Sequence, residues 1–560
     1  MNALTLRKHM IMPCTSRIVG ITAGFALSMS LVAAGSPRAA VHPRPATLDG
    51  DWIGGFVHDG TWVNLAAQLA SEPGGFKGTV DVAFADYESE QGVALTQTYA
   101  DGGKVRFTAP TTRGPIVFDG RATPGKISGR YGFGATSGTF GLVATAPLDS
   151  AARAGLYGAY QVAPGHVVSA FDRYGGDLRF TDYQTGQQST MYPVASDSFV
   201  SGPGQSVAWP VTDTFKLVRG ADGRAKELRW WTKGKGVRVA RRLAFQETTL
   251  SCTNDSITLG GTLILPNGPG PHPVIIVTPG DFGSSRDALR GYAFNFVRRG
   301  VAALVFDSRG AGGSTGPVAS SSFDELAGDV LAWVALLRER YEIDPKGIGL
   351  FGFSNSSWTV SLAASRSKDV SFLVPQSMSA LHPWQQERFR AERQIRIAGY
   401  PEKDVRQAVE IMDLKFKVAR TGEGWDGLQE TIDKHRDDRW LPYTNPSRSL
   451  ERLRAYWDRS FSYDPRPALE RVTCPTLFVF GGIDSNVPVD ASIPIIREAM
   501  ERAGNKRYAI RVFPKGRHDL IEGKDGGPKE FPLMKRFAPG YWDTLADWVA
   551  EGWRGGGVAR

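Results

Sequence analysis

The sequence predicts an α/β protein in which a mostly parallel sheet, with helices on both faces and a helical lid, is preceded by an all-β region. Three observations lead to this. From about residue 246, apolar runs without alternation take turns with amphipathic helical stretches, which is the pattern of parallel strands covered on both faces. From 48 to 245, short alternating runs are separated by glycine-rich turns, with no helical period. The chain has 560 residues, too many for one compact core, so two or three domains are expected.

The composition, 41% hydrophobic and 22% charged, is that of an ordinary soluble globular protein. The net charge is +9, but several of these charges sit in the N-terminal segment and the rest of the chain mixes both signs. No Lys/Arg stripe is interleaved with stacking aromatics, so no nucleic-acid partner is expected.

Residues 1–36 read as a signal peptide. Arg7, Lys8 and Arg17 precede the apolar run IVGITAGFALSMSLVAAGS, which ends in small residues around Ala33 to Gly35. Gly20, Thr22, Gly24, Ser28 and Ser30 make that run short and weak for a permanent span. The expectation is cleavage, a secreted or periplasmic protein, and no stable membrane span afterwards. No cysteine follows the small residues, which argues against a lipid anchor. Cys14 leaves with the signal. Cys252 and Cys474 fall at the starts of two strands placed far apart, and are expected to be unpaired even where disulfides form.

The β-rich region, 48–245, contains runs such as VRFTA, PIVFDG, KISGRYGF and TFGLVA. GDWIGGF at Gly50 and GLYGAYQ at Gly155 both open a stretch with an aromatic among glycines. Two consecutive antiparallel units are therefore expected, 48–148 and 150–245.

The catalytic region, 246–560, starts with TTLSC and ITLGGTLILP and continues with the buried strand PHPVIIVTPG. A helix over 287–299, the strand VAALVFDS and a helix carrying Leu326, Val330, Trp333, Val334 and Leu337 on one face come next. KGIGLFGFS, a further helix and VSFLVPQS continue the alternation. Residues 380–465 interrupt it with charged, aromatic helices and read as a lid at the carboxyl ends of the strands. CPTLFVFGG, a helix, YAIRVFPK and a last helix around 541–553 complete the domain.

The stretch GFSNS places Ser354 where a strand turns sharply into a helix. Positions two before and two after such a serine must be small, and Gly352 and Ser356 occupy them. Ser356 is excluded as the nucleophile because it would put Trp358 in the crowded position. A serine needs a base. Of His272, His382, His435 and His518, only His518 follows a strand at the same carboxyl edge. The base needs an acid. Asp484 directly follows a strand at that edge, and Asp490 is the weaker alternative. The oxyanion would be held by the backbone amides of Asn355 and, from the loop TPGDFGSS, Asp281.

DSRGAGGSTG does not fit a dinucleotide fingerprint and reads as a turn pinned by Asp307 and Arg309. There is no HExxH, no paired CxxC and no P-loop, so neither a metal nor another cofactor is expected.

From about Cys252 to the end, GFSNS, DSRGAGGSTG, SFDELAGDVLAWVALL, PTLFVFGGID and GRHD occur in an order that resembles bacterial α/β-hydrolases of the serine aminopeptidase and acyl-hydrolase group. The resemblance implies the α/β-hydrolase fold and a Ser354–His518–Asp484 triad. Extracytoplasmic relatives with a β-rich region ahead of the hydrolase domain fit residues 48–245. Two positions depart from the pattern: Pro279-Gly280 stands where His-Gly is usual, and Ser356 where glycine is usual, at an expected strain of about 1 kcal/mol. An aromatic lid with Trp384 suits an acyl or aryl group. A free amino terminus would need an acid such as Glu387 or Glu392. Hydrolysis of a small-molecule carboxylic ester is the first expectation, a serine peptidase the second, and a non-catalytic binding protein with a degenerate hydrolase domain the third.

Overall fold

The computed structural model describes residues 47–84, 89–173, 176–280, 284–318 and 320–554. The expected signal peptide and Asp281 lie outside the described residues. Among those described, no helix is long and apolar enough to cross a membrane.

Nine antiparallel strands, β1 (Gly50–His58), β2 (Thr61–Glu72), β3 (Gly75–Ala83) and so on to β9 (Thr136–Ala144), make the first barrel-like sheet. Tight turns such as Asp59-Gly60, with φ of 48° and 74°, set the hairpin twist. β1 also pairs with β9, so the meander curls back on itself and leaves its seam between the fourth and fifth strands. Alternate side chains, among them Phe56, Phe107, Phe118 and Phe140, fill one interior.

A second nine-stranded sheet, from β10 (Gly158–Ala163), β11 (His166–Arg173) and β12 (Asp177–Asp182) to β18 (Val237–Arg242), repeats the same spatial order, its first strand pairing its last. The internal echo is real but shifted. Gly50 corresponds to Gly158 and not to Gly155, giving Leu48-x-Gly50-x-Trp52 and Leu156-x-Gly158-x-Tyr160. Trp52 Nε1 donates to the Leu48 carbonyl at 2.8 Å, and the Tyr160 hydroxyl to that of Leu156 at 2.5 Å.

The third sheet has eight strands: β19 (Gln246–Asn254), β20 (Ile257–Leu265), β21 (His272–Thr278), β22 (Ala302–Phe306), β23 (Ile343–Phe353), β24 (Phe372–Gln376), β25 (Thr476–Gly481) and β26 (Tyr508–Phe513). They lie in the order β19-β20-β22-β21-β23-β24-β25-β26. β20 runs antiparallel to its neighbours, and β22 to β26 and β21 run parallel. Helices α1 (Arg290–Val297) and α9 (Tyr541–Asp547) cover one face. On the other lie α2 (Phe323–Arg338), α3 (Asn355–Ala364) and α8 (Val489–Arg502). This is the α/β-hydrolase fold behind an all-β region. The lid between β24 and β25 comprises α4 (Pro383–Ile397), α5 (Glu402–Thr421), α6 (Trp425–Lys434) and α7 (Leu450–Asp458), packed round its own apolar core.

The second barrel shares the core on the α1 face. Ala159, Val167, Phe171 and Tyr183 pack with the hydrolase residues there, and each large side chain buried this way contributes about 2 kcal/mol. Phe171 packs so close to α1 that a Cβ at Gly291 would fall 2.4 Å from its ring. The Tyr183 hydroxyl donates to the carbonyl of that same glycine at 2.6 Å.

The glycine-rich turn after β22 is a pinned structural loop. Asp307 accepts from the Arg286 Nε and Nη2 atoms at 2.9 and 2.7 Å and from the Gly313 amide at 2.8 Å. The buried Arg309 guanidinium binds Asp329 at 2.7 and 2.8 Å. Cys252 and Cys474 are both free thiols, and burial pushes them up to about 12 and about 11.

Candidate active site

Ser354 sits between β23 and α3 with φ 57° and ψ −121°, a conformation that costs of order 1–3 kcal/mol for a side-chain-bearing residue. The structure around it holds it there. The Ser354 amide donates to the Gln376 carbonyl at 2.9 Å. Gly352 is obligatory, since a Cβ would meet the Ser356 carbonyl oxygen at 2.5 Å and Val360 at 2.7 Å.

Ser356 carries no strain of its own. It lies within α3, and its hydroxyl folds back to donate to the Phe353 carbonyl at 3.0 Å and accept from the Phe353 amide at 2.8 Å. The expected penalty at this position is therefore misplaced: the strain belongs to Ser354, and Ser356 ties the turn down.

His518 Nε2 lies 2.9 Å from Ser354 Oγ, and His518 Nδ1 lies 2.8 Å from Asp484 Oδ2. Asp484 is buried and its other oxygen accepts the amides of Asn486 and Val487 at 2.7 and 2.9 Å, which fixes the carboxylate's orientation. The Ser377 hydroxyl donates to the His518 carbonyl at 2.7 Å, and the Phe353 ring packs 5.1 Å from the imidazole. Ser354 directly follows β23, and Asp484 and His518 lie in the loops that follow β25 and β26, so the parallel sheet brings all three to one edge.

The other histidines lie elsewhere. His272 opens β21 at the opposite edge, His382 contacts the Tyr463 carbonyl at 2.8 Å, and His435 contacts Asp438 at 2.7 Å.

Asn355 is the first residue of α3 and lines the cavity above Ser354, with its amide at a helix N-terminus that favours negative charge. Pro279 and Gly280, which open the loop after β21, line a small pocket together with Asn355.

The cavity above Ser354 measures about 100 Å³ and opens to solvent. Trp358, Phe323, Tyr456 and Trp457 form its apolar walls, and Glu387, Arg390, Arg459 and Asn486 its polar ones. One face of α4 builds a polar ladder there. Arg390 holds both oxygens of Glu387 at 2.7 Å and donates to Gln394 at 3.1 Å; Gln394 donates to Asn486, beside the acid, at 2.7 Å.

Two residues expected to bind substrate lie elsewhere. Trp384 points into the lid core, stacked on Phe461 at 5.9 Å and against Phe416 at 6.0 Å. Glu392 pairs with Arg388 at 3.4 Å and Arg396 at 2.7 Å. Neither lines the cavity. Arg390, Arg459 and Gln394 were not anticipated. Their spacing from Glu387 on α4 would have grouped Arg390 and Gln394 with it, but nothing in the sequence says which face meets the serine.

A model of the X-Pro dipeptidyl-peptidase (S15) family matches residues 255–514. That span contains Ser354 and Asp484 and stops just short of His518. No curated protein matches the chain. Solved structures similar to it include a 2,6-dihydroxy-pseudo-oxynicotine hydrolase, at 18% identity over 56% of this chain and 69% of that one, TM-score 0.34. They also include the Pyrococcus furiosus esterase PF2001, at 18% identity over 56% and 92%, TM-score 0.35. A third is Est1E from Butyrivibrio proteoclasticus, at 18% identity over 54% and 97%, TM-score 0.33. The C-terminal part of the chain is a serine hydrolase domain of the α/β-hydrolase fold.

Proposed function

We propose that the protein hydrolyses a carboxylic acyl substrate through a covalent acyl-enzyme, with Ser354 as nucleophile, His518 as general base and acid, and Asp484 as the group that orients His518. The observation that carries this reading is the unbroken chain from Ser354 through His518 to Asp484, mounted on a strained elbow beneath a cavity. His518 Nε2 takes the hydroxyl proton as Ser354 Oγ adds to the substrate carbonyl. The oxyanion forms beside the Asn355 amide, with the Asp281 amide as the proposed second donor. The imidazolium then protonates the leaving group, and water repeats the sequence to release the acid and regenerate Ser354.

Ester hydrolysis is the first reading. Among the described residues lining the cavity Glu387 is the sole carboxylate, and Arg390 holds both its oxygens, which disfavours a substrate ammonium there. The lid's aromatics pack largely on one another, so the cavity suits a short or polar acyl group. A peptidase is the second reading, favoured by the match to the X-Pro dipeptidyl-peptidase family model. Export rests on the signal-like residues 1–36.

A fluorophosphonate probe should label the wild type and not Ser354→Ala, and that substitution should lower kcat by about 10⁴-fold or more. Absence of labelling in folded wild-type protein would overturn the reading. Rates on p-nitrophenyl acetate against an Xaa-Pro anilide then decide between ester and peptide.

A further inference from the structure

The loop that carries His518 is held from outside the hydrolase domain. Residues 531–538 cross between the second barrel and that loop as a strap. On one side the Gln188 amide donates to the Lys535 carbonyl at 3.0 Å, Phe537 to Gly186 at 2.9 Å, and Gln205 to Met534 at 2.7 Å. The Gln205 side chain adds a bond to the Phe531 carbonyl at 2.9 Å. On the other side Ala538 donates to the Leu520 carbonyl and Glu522 to that of Arg536, both at 2.8 Å. Leu520, two residues past the histidine, is buried with φ 62°, so its backbone needs such support.

An ionic set closes the same junction. Arg179 of β12 is fully buried, 3.2 Å from Asp177 and bonded to the Gln205 carbonyl. Arg173, at the end of β11, lies 3.9 Å from Asp519, the residue after His518. Arg153 and Asp172 form a separate pair at 2.9 Å beyond them. The barrel thus supplies two arginines and one carboxylate, and Asp519 supplies the carboxylate that balances them.

We infer that Arg173, backed by Arg179, is a positioning residue for His518: it seats Asp519, and with it the catalytic loop, so the second barrel is a working part of the active site. This rests on the serine-hydrolase reading above. The charged and titratable groups facing Asp519 are Arg173, Arg179 and, from α9, Tyr541, while His518 itself faces Asp484.

The test uses the full chain with Arg173→Ala, Arg173→Lys, Asp519→Asn and the double variant R173A/D519N. It measures kcat and KM on p-nitrophenyl acetate from about pH 5 to 9, together with deuterium exchange of the peptide around residues 515–522. Arg173→Ala should lower kcat about tenfold with KM within about twofold, since a misplaced base costs rate and not binding. Its acid limb should move to higher pH, because the unbalanced Asp519 carboxylate favours the imidazolium; Asp519→Asn should move it lower, and the double variant should return it. Arg173→Lys should restore most of kcat. A folded Arg173→Ala with unchanged kcat, pH profile and exchange overturns the inference. Should Arg173→Ala fail to fold, Asp519→Asn, which keeps the side-chain shape, overturns it by leaving the acid limb in place. Faster exchange at 515–522 in Arg173→Ala, alongside a wild type that no fluorophosphonate labels, upholds the coupling of barrel to loop and overturns the hydrolase reading instead.

Discussion

The two barrels share strand number, spatial order and the hydrogen bond by which an aromatic at the start of the first strand reaches back to a leucine carbonyl. They differ in what covers them. On the third strand of the first barrel, β3, the outward positions Lys77 and Thr79 are exposed, and Lys77 meets only Glu72 in solvent. On the third strand of the second, β12, the outward positions Arg179 and Thr181 are fully buried, because the hydrolase domain and its strap lie over them. The same strand is exposed in one copy and an internal wall in the other, while the first barrel docks through different strands, β2 against Pro528–Leu533 and Gly141 of β9 against Trp209. Topology and outward residue type alike do not assign a role, since a cation and a threonine face outward in both; what packs over the strand does.

The largest expected effect breaks this contrast directly. Arg179→Ala leaves Asp177 without its cation inside the protein and should cost about 3–5 kcal/mol in urea unfolding. Lys77→Ala, at the corresponding strand of the first barrel, should leave the unfolding midpoint unchanged. Equal losses would mean that the two faces are energetically alike.

A buried cation in the lid sharpens the point by having no carboxylate in its hydrogen bonds. Lys415 donates to the Thr444 and Asn445 carbonyls at 2.6 and 3.3 Å, and burial lowers it to about 8. An unfolded lysine titrates near 10.5. Between these values the unfolded chain holds the proton and the folded chain does not, so this group's contribution to stability rises with pH across that window, by up to about 3 kcal/mol. Unfolding midpoints of Lys415→Met should lack that rise relative to wild type. Arg179, lowered by burial only to about 10, stays charged at neutral pH and should show no such slope there.

The smallest effect tests the shared feature. Tyr160→Phe removes the bond to Leu156 and should cost about 1 kcal/mol. Trp52→Phe removes its counterpart to Leu48 along with some apolar area, and should cost the same or slightly more. A loss confined to one barrel would show that the bond matters only where the sheet is docked.

The parallel sheet was legible because its strands are buried on both faces and so lack alternation, and because strand ends put Ser354, Asp484 and His518 at one edge. The closure of each barrel was not: the pairing of β1 with β9 joins residues about ninety positions apart, and no local pattern records it. The echo between Gly50 and Gly155 pointed to a repeat but missed its register by three residues, which only the matching hydrogen bonds reveal. In the lid, helical period groups Glu387, Arg390 and Gln394 on one face. Period gives no absolute rotation, so Trp384 and Glu392 were equally eligible until the lid's own core claimed the first and neighbouring arginines the second. The seating of Phe171 on Gly291 was invisible for the same reason, since a helical glycine does not announce what lies against it.

The strap also sets an order in time. Gln205 bonds to Phe531 across 326 positions of sequence, so a segment made early waits for one made almost last. During synthesis from the N-terminus the first barrel can close as soon as its own strands have emerged, whereas the covered face of the second stays bare until residue 538 is free. Such a distant pairing is slow to form. The histidine loop is then among the last parts to settle, and a chain cut short near its end would lose both the wall and the base it supports.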